Sequence, residues 1–484
     1  MTFVSELEPV ALWSHFDEIL AIPRPSKQED AMRAYVRSVA EAHGLACRLD
    51  AAGNVVVSVP ASPGKEDRPA VALQSHLDMV CEKDSGVEFD FERDAIVPRR
   101  DGEWLYATGT TLGSDNGIGV AAMLAVAGDR DLVRPPLELL FTFDEETGLT
   151  GAQQLDGSIL AARTLLNLDT EEEGALYVGC AGGAGTDLAV PLETMFGAEG
   201  RVALEVRLAG LKGGHSGVDI HLQRGNASSL LARILHALWP KFQFEMASFD
   251  GGNLHNAIPR EARATVRVAP ADRERFEAAV ESEAAAIRAE LAAVEEGPTV
   301  EIVAGEAPAE VWSDATTQRT LGLLVALPHG VLRMSDAIPG LVETSTNLAR
   351  VRTEGTTMRI HCSNRSSVAS ELAATQRRIA GYGEMLGAEV AQSEGYPGWQ
   401  PNLDSAILAV AKSAVEKVYG EAPEVKAIHA GLECGLIGEK VPGMDMISFG
   451  PQIEFPHSPG ERVSIPSVER FYRVLVATLE VLAA

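Results

Sequence analysis

The chain has 484 residues, which predicts two or three domains because a single hydrophobic core seldom grows beyond about 250–300 residues. Its 69 acidic and 41 basic residues give a net charge of −28, which argues against nucleic acid or an anionic membrane as a partner. We see no run of about 18 apolar residues and no basic, apolar leader, so neither export nor a membrane span is expected. The odd number of cysteines and the lack of CxxC spacing predict reduced thiols in the cytoplasm: Cys47, Cys81, Cys180, Cys362 and Cys434.

The first predicted elements are a helix and a hairpin. Apolar positions recur at helical spacing over 28–43, and a glycine follows, which is a common helix stop. Two short strands, 45–48 and 54–59, flank the turn-forming sequence Ala-Gly-Asn.

The next apolar run, 69–81, predicts a strand that carries His76 and Asp78 at its carboxyl end. Side chains two residues apart in a strand share a face. Residues able to bind a metal therefore lie together at the end of a presumed parallel strand, where open α/β sheets place their sites.

The segment 108–126 combines a glycine-rich turn with an alanine-rich helix, and Asp115 lies just before that helix. One interpretation makes Asp115 a helix N-cap. A phosphate-binding loop is disfavoured, because the glycines do not match GxGxxG and no lysine follows as a Walker motif requires.

The stretch 135–155 is central to the argument. The apolar run Leu137 to Phe143 predicts a buried strand that stops at three consecutive acids, Asp144, Glu145 and Glu146. Adjacent carboxylates at such a place repel one another and resist desolvation unless cations or hydrogen-bond donors compensate them. A metal ion would compensate them, and a solvated turn is the alternative.

A third buried strand, 164–169, ends in Asp169, and three glutamates follow at 171–173. The three predicted strands therefore share one plan, since each ends in an acid. Packing does not explain that plan, whereas a site at the strand ends does. An exposed loop is the alternative for Asp169 taken alone.

From about residue 187 to 392 the sequence predicts an inserted α+β domain. A half-exposed strand over 201–208 and a helix over 226–238 belong to it, and a charged helix over 271–294 is expected to present a solvated face. The sequences after Asn256 and Asn347 resemble each other, which indicates an internal duplication with a strand-turn-strand-helix order.

A Pro/Gly-rich passage near 395–401 marks the return to the first domain, so 1–186 and 393–484 are predicted to fold together. A helix over 405–419, a strand over 444–449 and a final helix over 467–483 follow. His457 falls in a proline-flanked loop, where an exposed histidine without a role is the alternative interpretation.

Seven side chains of the first domain form one set of imidazoles and carboxylates without thiolate. Such donors suit Zn²⁺, with Mn²⁺ or Co²⁺ as substitutes. The acids are too many for one tetrahedral zinc, but two ions with a bridging carboxylate would use them and leave one acid as a general base. The set is His76, Asp78, Asp115, Glu145, Glu146, Asp169 and His457.

The motifs HLD, GSDNGIG, DEETG, LLNLD and FPHSPGE resemble those of the di-zinc exopeptidases of the aminoacylase and dipeptidase superfamily. Together with GGHSGVDIH, NAIPREA, HAGLECG and YPGW, they are most similar to the aminoacyl-histidine dipeptidases, also called cytosol non-specific dipeptidases. The motifs run from about residue 76 to 461. The resemblance implies an α/β catalytic domain with a mixed, largely parallel sheet flanked by helices, and an inserted α+β lid domain.

The resemblance also implies two zinc ions per chain. His76 and Asp169 would hold one ion, Glu146 and His457 the other, and Asp115 would bridge them.

Two further acids receive roles from the same resemblance. Asp78 would hydrogen-bond His76 and fix its tautomer. Glu145 would take a proton from the metal-bridging water, whose hydroxide attacks the peptide bond, and pass the proton to the departing amine. The period of a strand supports this division, because Glu145 and Glu146 would point in different directions.

The substrate-binding residues implied are His215, Asn256 and Arg365. His215 of the GGHSG motif would stabilise the oxyanion, within one chain or across a dimer interface, and a buried structural histidine is the alternative. Asn256 and Arg365 would grip the C-terminal carboxylate of the substrate, Arg365 as a bidentate donor. A surface salt bridge is equally compatible with Arg365, and His429 and Glu433 of HAGLECG receive no role.

The implied activity is hydrolysis of unblocked dipeptides with broad specificity, including Xaa-His, by a homodimer that closes a lid over the substrate. The same ligands fit a tripeptidase, a carboxypeptidase or an amino-acid deacylase of the superfamily. A non-catalytic metal-binding protein on the same fold is disfavoured by the complete ligand set, and a nucleotide-binding enzyme by the missing phosphate-loop motifs.

Overall fold

The structure is a computed structural model, and it describes residues 2–306 and 309–484. The chain forms two compact units. Unit 1 comprises Met1–Gly179, Trp399–Ala427 and Leu432–Ala484, and unit 2 comprises Cys180–Gly398 and Ile428–Gly431. In the described part of the chain, no helix has the length and apolar character needed to cross a membrane.

The strands of the described residues are β1 (Ala46–Leu49), β2 (Val55–Val59), β3 (Val71–His76), β4 (Pro98–Asp101), β5 (Trp104–Ala107), β6 (Leu137–Thr142), β7 (Thr164–Asn167), β8 (Ala175–Cys180), β9 (Gly182–Pro191), β10 (Thr194–Phe196), β11 (Val202–Ala209), β12 (Glu245–Gly251), β13 (Ala262–Val268), β14 (Thr299–Ala304), β15 (Glu310–Trp312), β16 (Gly330–Met334), β17 (Val342–Glu354), β18 (Thr357–Ser366), β19 (Glu389–Gln392), β20 (Glu424–Ile428), β21 (Asp445–Ser448), β22 (Ile453–Glu454) and β23 (Arg462–Ser464). The helices are α1 (Val10–Leu20), α2 (Asp30–Ala42), α3 (Ser114–Gly128), α4 (Glu145–Gly148), α5 (Thr150–Gln153), α6 (Ala227–Phe242), α7 (Arg273–Leu291), α8 (Asp314–Ala326), α9 (Ala369–Glu384), α10 (Ala406–Tyr419), α11 (Glu433–Lys440) and α12 (Ile465–Ala483).

Unit 1 is built on an eight-stranded sheet in the order β1-β2-β6-β3-β7-β21-β8-β20. The four central strands β6, β3, β7 and β21 run parallel, and the neighbouring β2 and β8 pair with this group antiparallel. β3 and β6 are buried along their whole length, which explains why they read as continuous apolar runs rather than as alternating ones. The carboxyl ends of the parallel strands therefore meet at one edge.

A smaller sheet of unit 1, in the order β22-β23-β5-β4, brings a distant part of the chain to the beginning of α3. The loop between β22 and β23 contains His457 and Glu461. The side chain of Glu461 accepts hydrogen bonds from the backbone just before Asp115, as described below. The sequence analysis did not predict β4 or β5.

Unit 2 has an antiparallel sheet in the order β14-β11-β13-β12-β17-β18-β9-β19, with β16 paired to β17. In the order of the sequence, helices α6 to α9 fall between strands of this sheet. Leucine, valine and phenylalanine side chains from the helices and the strands pack into one hydrophobic core. Together with the sheet of unit 1, this confirms the predicted fold class of a largely parallel α/β sheet with an inserted antiparallel lid.

The predicted duplication remains a prediction. Two hairpins followed by helices are present, β12-β13-α7 and β17-β18-α9. Their supposed equivalents differ in position, since Asn256 lies in the loop between β12 and β13 whereas Asn347 lies within β17.

Candidate metal centre

Five side chains predicted to bind metal come together in unit 1. His76 is the last residue of β3, Asp169 follows β7 by two residues, and Glu146 lies in the one-turn helix α4 just after β6. Asp115 lies at the beginning of α3, and His457 in the loop between β22 and β23. Because β3, β6 and β7 are adjacent and parallel, their carboxyl ends place three of these side chains at one edge of the sheet.

The carboxylate of Asp115 lies between two groups of side chains. On one side, Nε2 of His76 is 3.0 Å from Oδ1 of Asp115 and 3.2 Å from Oδ1 of Asp169. On the other side, Nε2 of His457 is 3.1 Å from Oδ2 of Asp115 and 3.1 Å from Oε2 of Glu146. Each oxygen of Asp115 therefore faces a different histidine.

These residues fit divalent cations. Ligand atoms about 2.0–2.1 Å from one ion lie about 3.3–3.4 Å from each other in a tetrahedral site. The separations of 3.0 to 3.2 Å above are close to this value and slightly shorter. Ligand atoms of His76, Asp115 and Glu146 all lie within 4.8 Å of one another. Oε1 of Glu146 is buried and has no hydrogen-bond partner among the described residues, a costly state that a cation would relieve.

Burial and mutual electrostatic interactions shift the pKa values of the side chains in this centre strongly. Burial and the nearby Asp115 carboxylate raise the pKa of Glu146 to about 6. Burial also raises the pKa of Asp169. Hydrogen bonds to Asp115 and Glu146 raise the pKa of His457 to about 11, and burial of His76, which alone would lower its pKa, is outweighed by Asp169 and Asp115. Among these five side chains only the two imidazoles can carry the positive charge that balances the acids.

Glu145 lies beside these five side chains, but its carboxylate contacts none of their charged groups in the described residues. Its carboxylate forms no ion pair and accepts no hydrogen bond in the part of the chain that the structure describes. Burial, followed by the negative charges of Asp169 and Glu146, raises its pKa well above the usual range, although His76 lowers it. The argument from strand period was wrong, because Glu145 and Glu146 form the first turn of α4 rather than the end of a strand.

Asp78 connects the histidine to the acidic turn. Its Oδ1 lies 3.4 Å from Nδ1 of His76 and accepts a hydrogen bond of 3.0 Å from the backbone N–H of Glu145. Its Oδ2 accepts from Oγ of Ser26 at 2.7 Å and from the backbone N–H of Glu146 at 3.2 Å. Although burial opposes it, the adjacent His76 imidazole lowers the pKa of Asp78 to about 2, so Asp78 stays ionised.

The sequence analysis missed Glu461, which holds the loop that carries Asp115. Its carboxylate accepts hydrogen bonds from the backbone N–H groups of Leu112, Gly113 and Ser114 at 2.8, 2.9 and 2.7 Å. Asp115 is therefore not an N-cap, and its side chain is free to face the histidines. The signal was present, because Glu461 is the last residue of FPHSPGE.

A row of buried polar side chains below the centre was also missed. Oγ1 of Thr142 lies 3.2 Å from Nε2 of Gln74, Oε1 of Gln74 accepts from Nδ2 of Asn167 at 2.5 Å, and Ser448 donates to Asn167. Oε2 of Glu433 accepts from Gln74 at 2.6 Å and from Thr142 at 2.7 Å. Gln74 and Asn167 precede His76 and Asp169 by two residues, so this row links the strands directly beneath two of the predicted ligands.

The predicted substrate-binding residues lie in unit 2. Nη2 of Arg365 is 3.5 Å from Nε2 of His215, and Nη1 of Arg365 donates to the Tyr396 hydroxyl at 3.0 Å. Arg365 is only 7% exposed and has no carboxylate partner among the described residues, so the surface salt bridge considered for it is not formed. The backbone carbonyl of Asn256 accepts from Ser216, which keeps its loop beside His215.

Two histidines of this cluster are neutral at ordinary pH. Burial and the positive charge of Arg365 lower the pKa of His215 to about 4 and that of His429 to about 3. Nδ1 of His215 accepts a hydrogen bond from the backbone N–H of Val218 at 3.0 Å. This leaves Nε2 of His215 to carry the ring proton, so that this nitrogen is a donor.

Comparison with known proteins identifies the family of the chain. The model of Peptidase family M20/M25/M40 matches residues 72–481. Cytosol non-specific dipeptidase of Escherichia coli strain K12 is 40% identical over 486 residues, with all of both chains covered. The crystal structure of aminoacylhistidine dipeptidase from Vibrio alginolyticus superposes with a TM-score of 0.92 at 41% identity, covering 99% of this chain and 98% of that one. Aminopeptidase PepT from Bacillus cereus shares the fold, with a TM-score of 0.59 at 16% identity over 99% of this chain and 100% of its own. The chain belongs to peptidase family M20/M25/M40.

Proposed function

We propose that this chain is a metal-dependent dipeptidase that hydrolyses unblocked dipeptides with broad specificity, Xaa-His included. One observation carries the proposal: two histidine–carboxylate groups share Asp115, and the carboxylate of Glu145 lies beside them without an ion-pair or hydrogen-bond partner among the described residues. The names of the Escherichia coli and Vibrio alginolyticus relatives support the substrate class. The first of these names also supports a place in the cytoplasm.

Two divalent cations, Zn²⁺ with Mn²⁺ or Co²⁺ as substitutes, are proposed as the cofactors. His76 and Asp169 would hold one, His457 and Glu146 the other, and Asp115 would bridge them. Bound there, the cations would polarise the scissile carbonyl and acidify a water molecule.

Glu145 is proposed as the general base and acid. Its carboxylate is adjacent to the ligands but not engaged by them, so it is able to accept a proton and return it to the departing amine. Asp78 is proposed to keep His76 oriented, because it contacts Nδ1 of that ring while it holds the N–H groups of the turn that carries Glu145. One ionised carboxylate thus fixes a ligand and the base together.

His215, Asn256 and Arg365 are proposed to bind the substrate. Arg365 is a buried guanidinium that no carboxylate of residues 2–306 and 309–484 pairs with, which suits the free carboxylate of a dipeptide. Neutral His215 is able to donate a hydrogen bond to the oxyanion. A homodimer is proposed as the assembly, and His215 would act in its own chain or in the partner's.

One purified sample tests the proposal. We expect elemental analysis to find about two Zn²⁺, Mn²⁺ or Co²⁺ ions per chain. We also expect the protein to hydrolyse Gly-His and β-Ala-His. N-acetylated amino acids and tripeptides should be cleaved far more slowly. Rapid deacylation of the N-acetyl compounds with little dipeptide cleavage would show that the chain is a deacylase of the same family instead.

A further inference from the structure

Arg365 carries a buried positive charge, and no carboxylate of the described residues neutralises it. The side chain is 7% exposed, no carboxylate forms an ion pair with it in the described residues, and its Nε is buried without a hydrogen-bond partner. A buried charge without a counter-charge is costly. The nearby histidines cannot supply the missing charge, since they are neutral or positive.

Tyr396 is the one residue whose hydroxyl contacts this guanidinium. A guanidinium can only donate, so the hydroxyl oxygen accepts the 3.0 Å hydrogen bond from Nη1. The hydroxyl therefore keeps its own proton for another acceptor. No acceptor for that proton is found in the described residues, which leaves a neutral donor next to a charged one.

The ring of Tyr396 is held rigidly. Its backbone exchanges two hydrogen bonds with Gly183, at 3.0 and 2.9 Å. A Cβ at Gly183 would come within 2.8 Å of the hydroxyl, and one at Gly431 within 3.0 Å of the ring edge. The glycines thus let two backbone segments pack against the ring, and one of these glycines, Gly431, belongs to HAGLECG.

The backbone at Gly217 packs closely against the side chain of Arg365. A Cβ at Gly217, the last glycine of GGHSG, would lie 3.0 Å from Nε of Arg365 and 2.2 Å from the carbonyl oxygen of His429. The hydroxyl of Ser345 and Nε2 of His429 are 2.7 Å apart, which fixes that histidine. The guanidinium is therefore placed in one orientation before any ligand arrives.

We propose that the Tyr396 hydroxyl and the Arg365 guanidinium together form the clamp that selects the free C-terminal carboxylate of a dipeptide. The carboxylate accepts one hydrogen bond from the hydroxyl and others from the guanidinium. Tyr396 is thus a specificity-determining residue, because a carboxamide in this place has no negative charge and only one acceptor oxygen, and its NH2 group faces two donors. The inference rests on the proposed role of Arg365 and adds the second donor.

The test compares Gly-His with glycyl-histidinamide as substrates of the wild-type protein and of three variants. In Y396F, kcat/KM for Gly-His should fall about ten-fold, mainly through KM, whereas the value for the amide stays unchanged. In R365M the preference for the carboxylate should be lost almost completely. Y35F, which removes a hydroxyl that contacts His15 in unit 1, is the matched control and should keep the preference.

The outcomes separate the inference from the proposed function. If R365M loses the preference and Y396F keeps it, the role of Tyr396 is refuted while that of Arg365 stands. If neither variant changes the preference, the carboxylate-binding site of the proposed function is refuted as well. Calorimetric binding of both compounds to the double variant E145Q/Y396F, compared with E145Q, gives the same comparison without turnover, and a folded variant that binds Gly-His as tightly as E145Q would overturn the inference.

Discussion

Each unit contains a cluster of charged groups that the other described residues of that unit do not fully neutralise, and the two clusters have opposite signs. In unit 1, three carboxylates face two imidazoles, and Glu145 and Glu146 have raised pKa values. In unit 2, Arg365 lies beside neutral histidines and a tyrosine, and no carboxylate of the described residues forms an ion pair with it. The first cluster suits cations and the second suits an anion.

The difference shows that the two units position their charged groups through different features of the sequence. The acids follow the parallel strands of unit 1, so their arrangement depends on the order of the sheet. The donors around Arg365 depend on close backbone contacts that only glycine allows, at Gly183, Gly217 and Gly431. Variants that alter one cluster should therefore leave the other intact.

The largest effect is expected from E145Q, which removes the acid that no partner engages. We expect kcat for Gly-His to fall by about 10²–10⁴-fold, the usual contribution of general acid–base catalysis, while both metal ions remain bound. E274Q, in the exposed first turn of α7, is the matched control and should keep full activity. Full activity of E145Q would refute the assignment of the base.

The next effect is expected from D115N, which neutralises the carboxylate shared by the two histidines. Metal affinity should fall by more than about 100-fold, because changes behind the ligands already cost about 10–100-fold. Competition with a chelator followed by elemental analysis measures this loss. D144N is the control, because Asp144 bonds to Thr147 and Thr150 rather than to the histidines. Two tightly held ions in D115N would contradict the bridging role.

A smaller effect is expected from E433L, which removes the carboxylate that holds Gln74 and Thr142 beneath the ligands. The strands would lose two buried hydrogen bonds, and metal affinity should fall about ten-fold. The absorption spectrum of the Co²⁺-loaded protein should change as well, because the position of His76 depends on β3. E433Q, which keeps an acceptor of similar shape, should restore much of the affinity. Equal loss in both variants would mean that the charge, rather than the hydrogen bonds, matters.

The sequence predicted those features that depend on one strand at a time. The strands ending near His76 and Asp169 were recognisable because buried parallel strands are continuous apolar runs. The period of a strand was applied to Glu145 and Glu146, just beyond the predicted strand, since the four residues of α4 are too few to show a helical period. The bonds of Glu461 to the loop before Asp115 span about 350 residues, and no local pattern reveals such a contact.

Polar residues inside apolar runs were also overlooked. Gln74 and Asn167 are fully buried, and their meaning depends on the neighbours that the sheet order gives them. The buried position of Arg365 has the same cause, because a single arginine near the end of β18 fits a surface salt bridge equally well. Sequence motifs located the site, whereas its supports needed the three-dimensional arrangement.

The smallest effect concerns pH, and its sign should differ between the two units. The pKa of His429 falls from 6.5 to about 3 on folding, so its share of stability is complete above pH 6.5 and is lost as the pH falls below that value. The pKa of Glu433 instead rises from 4.5 to about 7 on folding, mainly through burial. Its contribution to the free energy of unfolding is therefore complete below pH 4.5 and is lost as the pH rises towards 7. Each group contributes about 1.4 kcal/mol per pH unit in its window.

Calorimetric unfolding of the wild-type protein, H429Q and E433Q between pH 5 and 6.5 measures both contributions. On acidification, the stability advantage of the wild type over H429Q should shrink, because the unfolded histidine binds a proton that the folded one excludes. Over the same range the wild type should gain stability relative to E433Q, because the folded carboxyl group binds its proton first. If both differences shrank on acidification, the raised pKa of Glu433 would be refuted, and if both grew, the lowered pKa of His429 would be refuted.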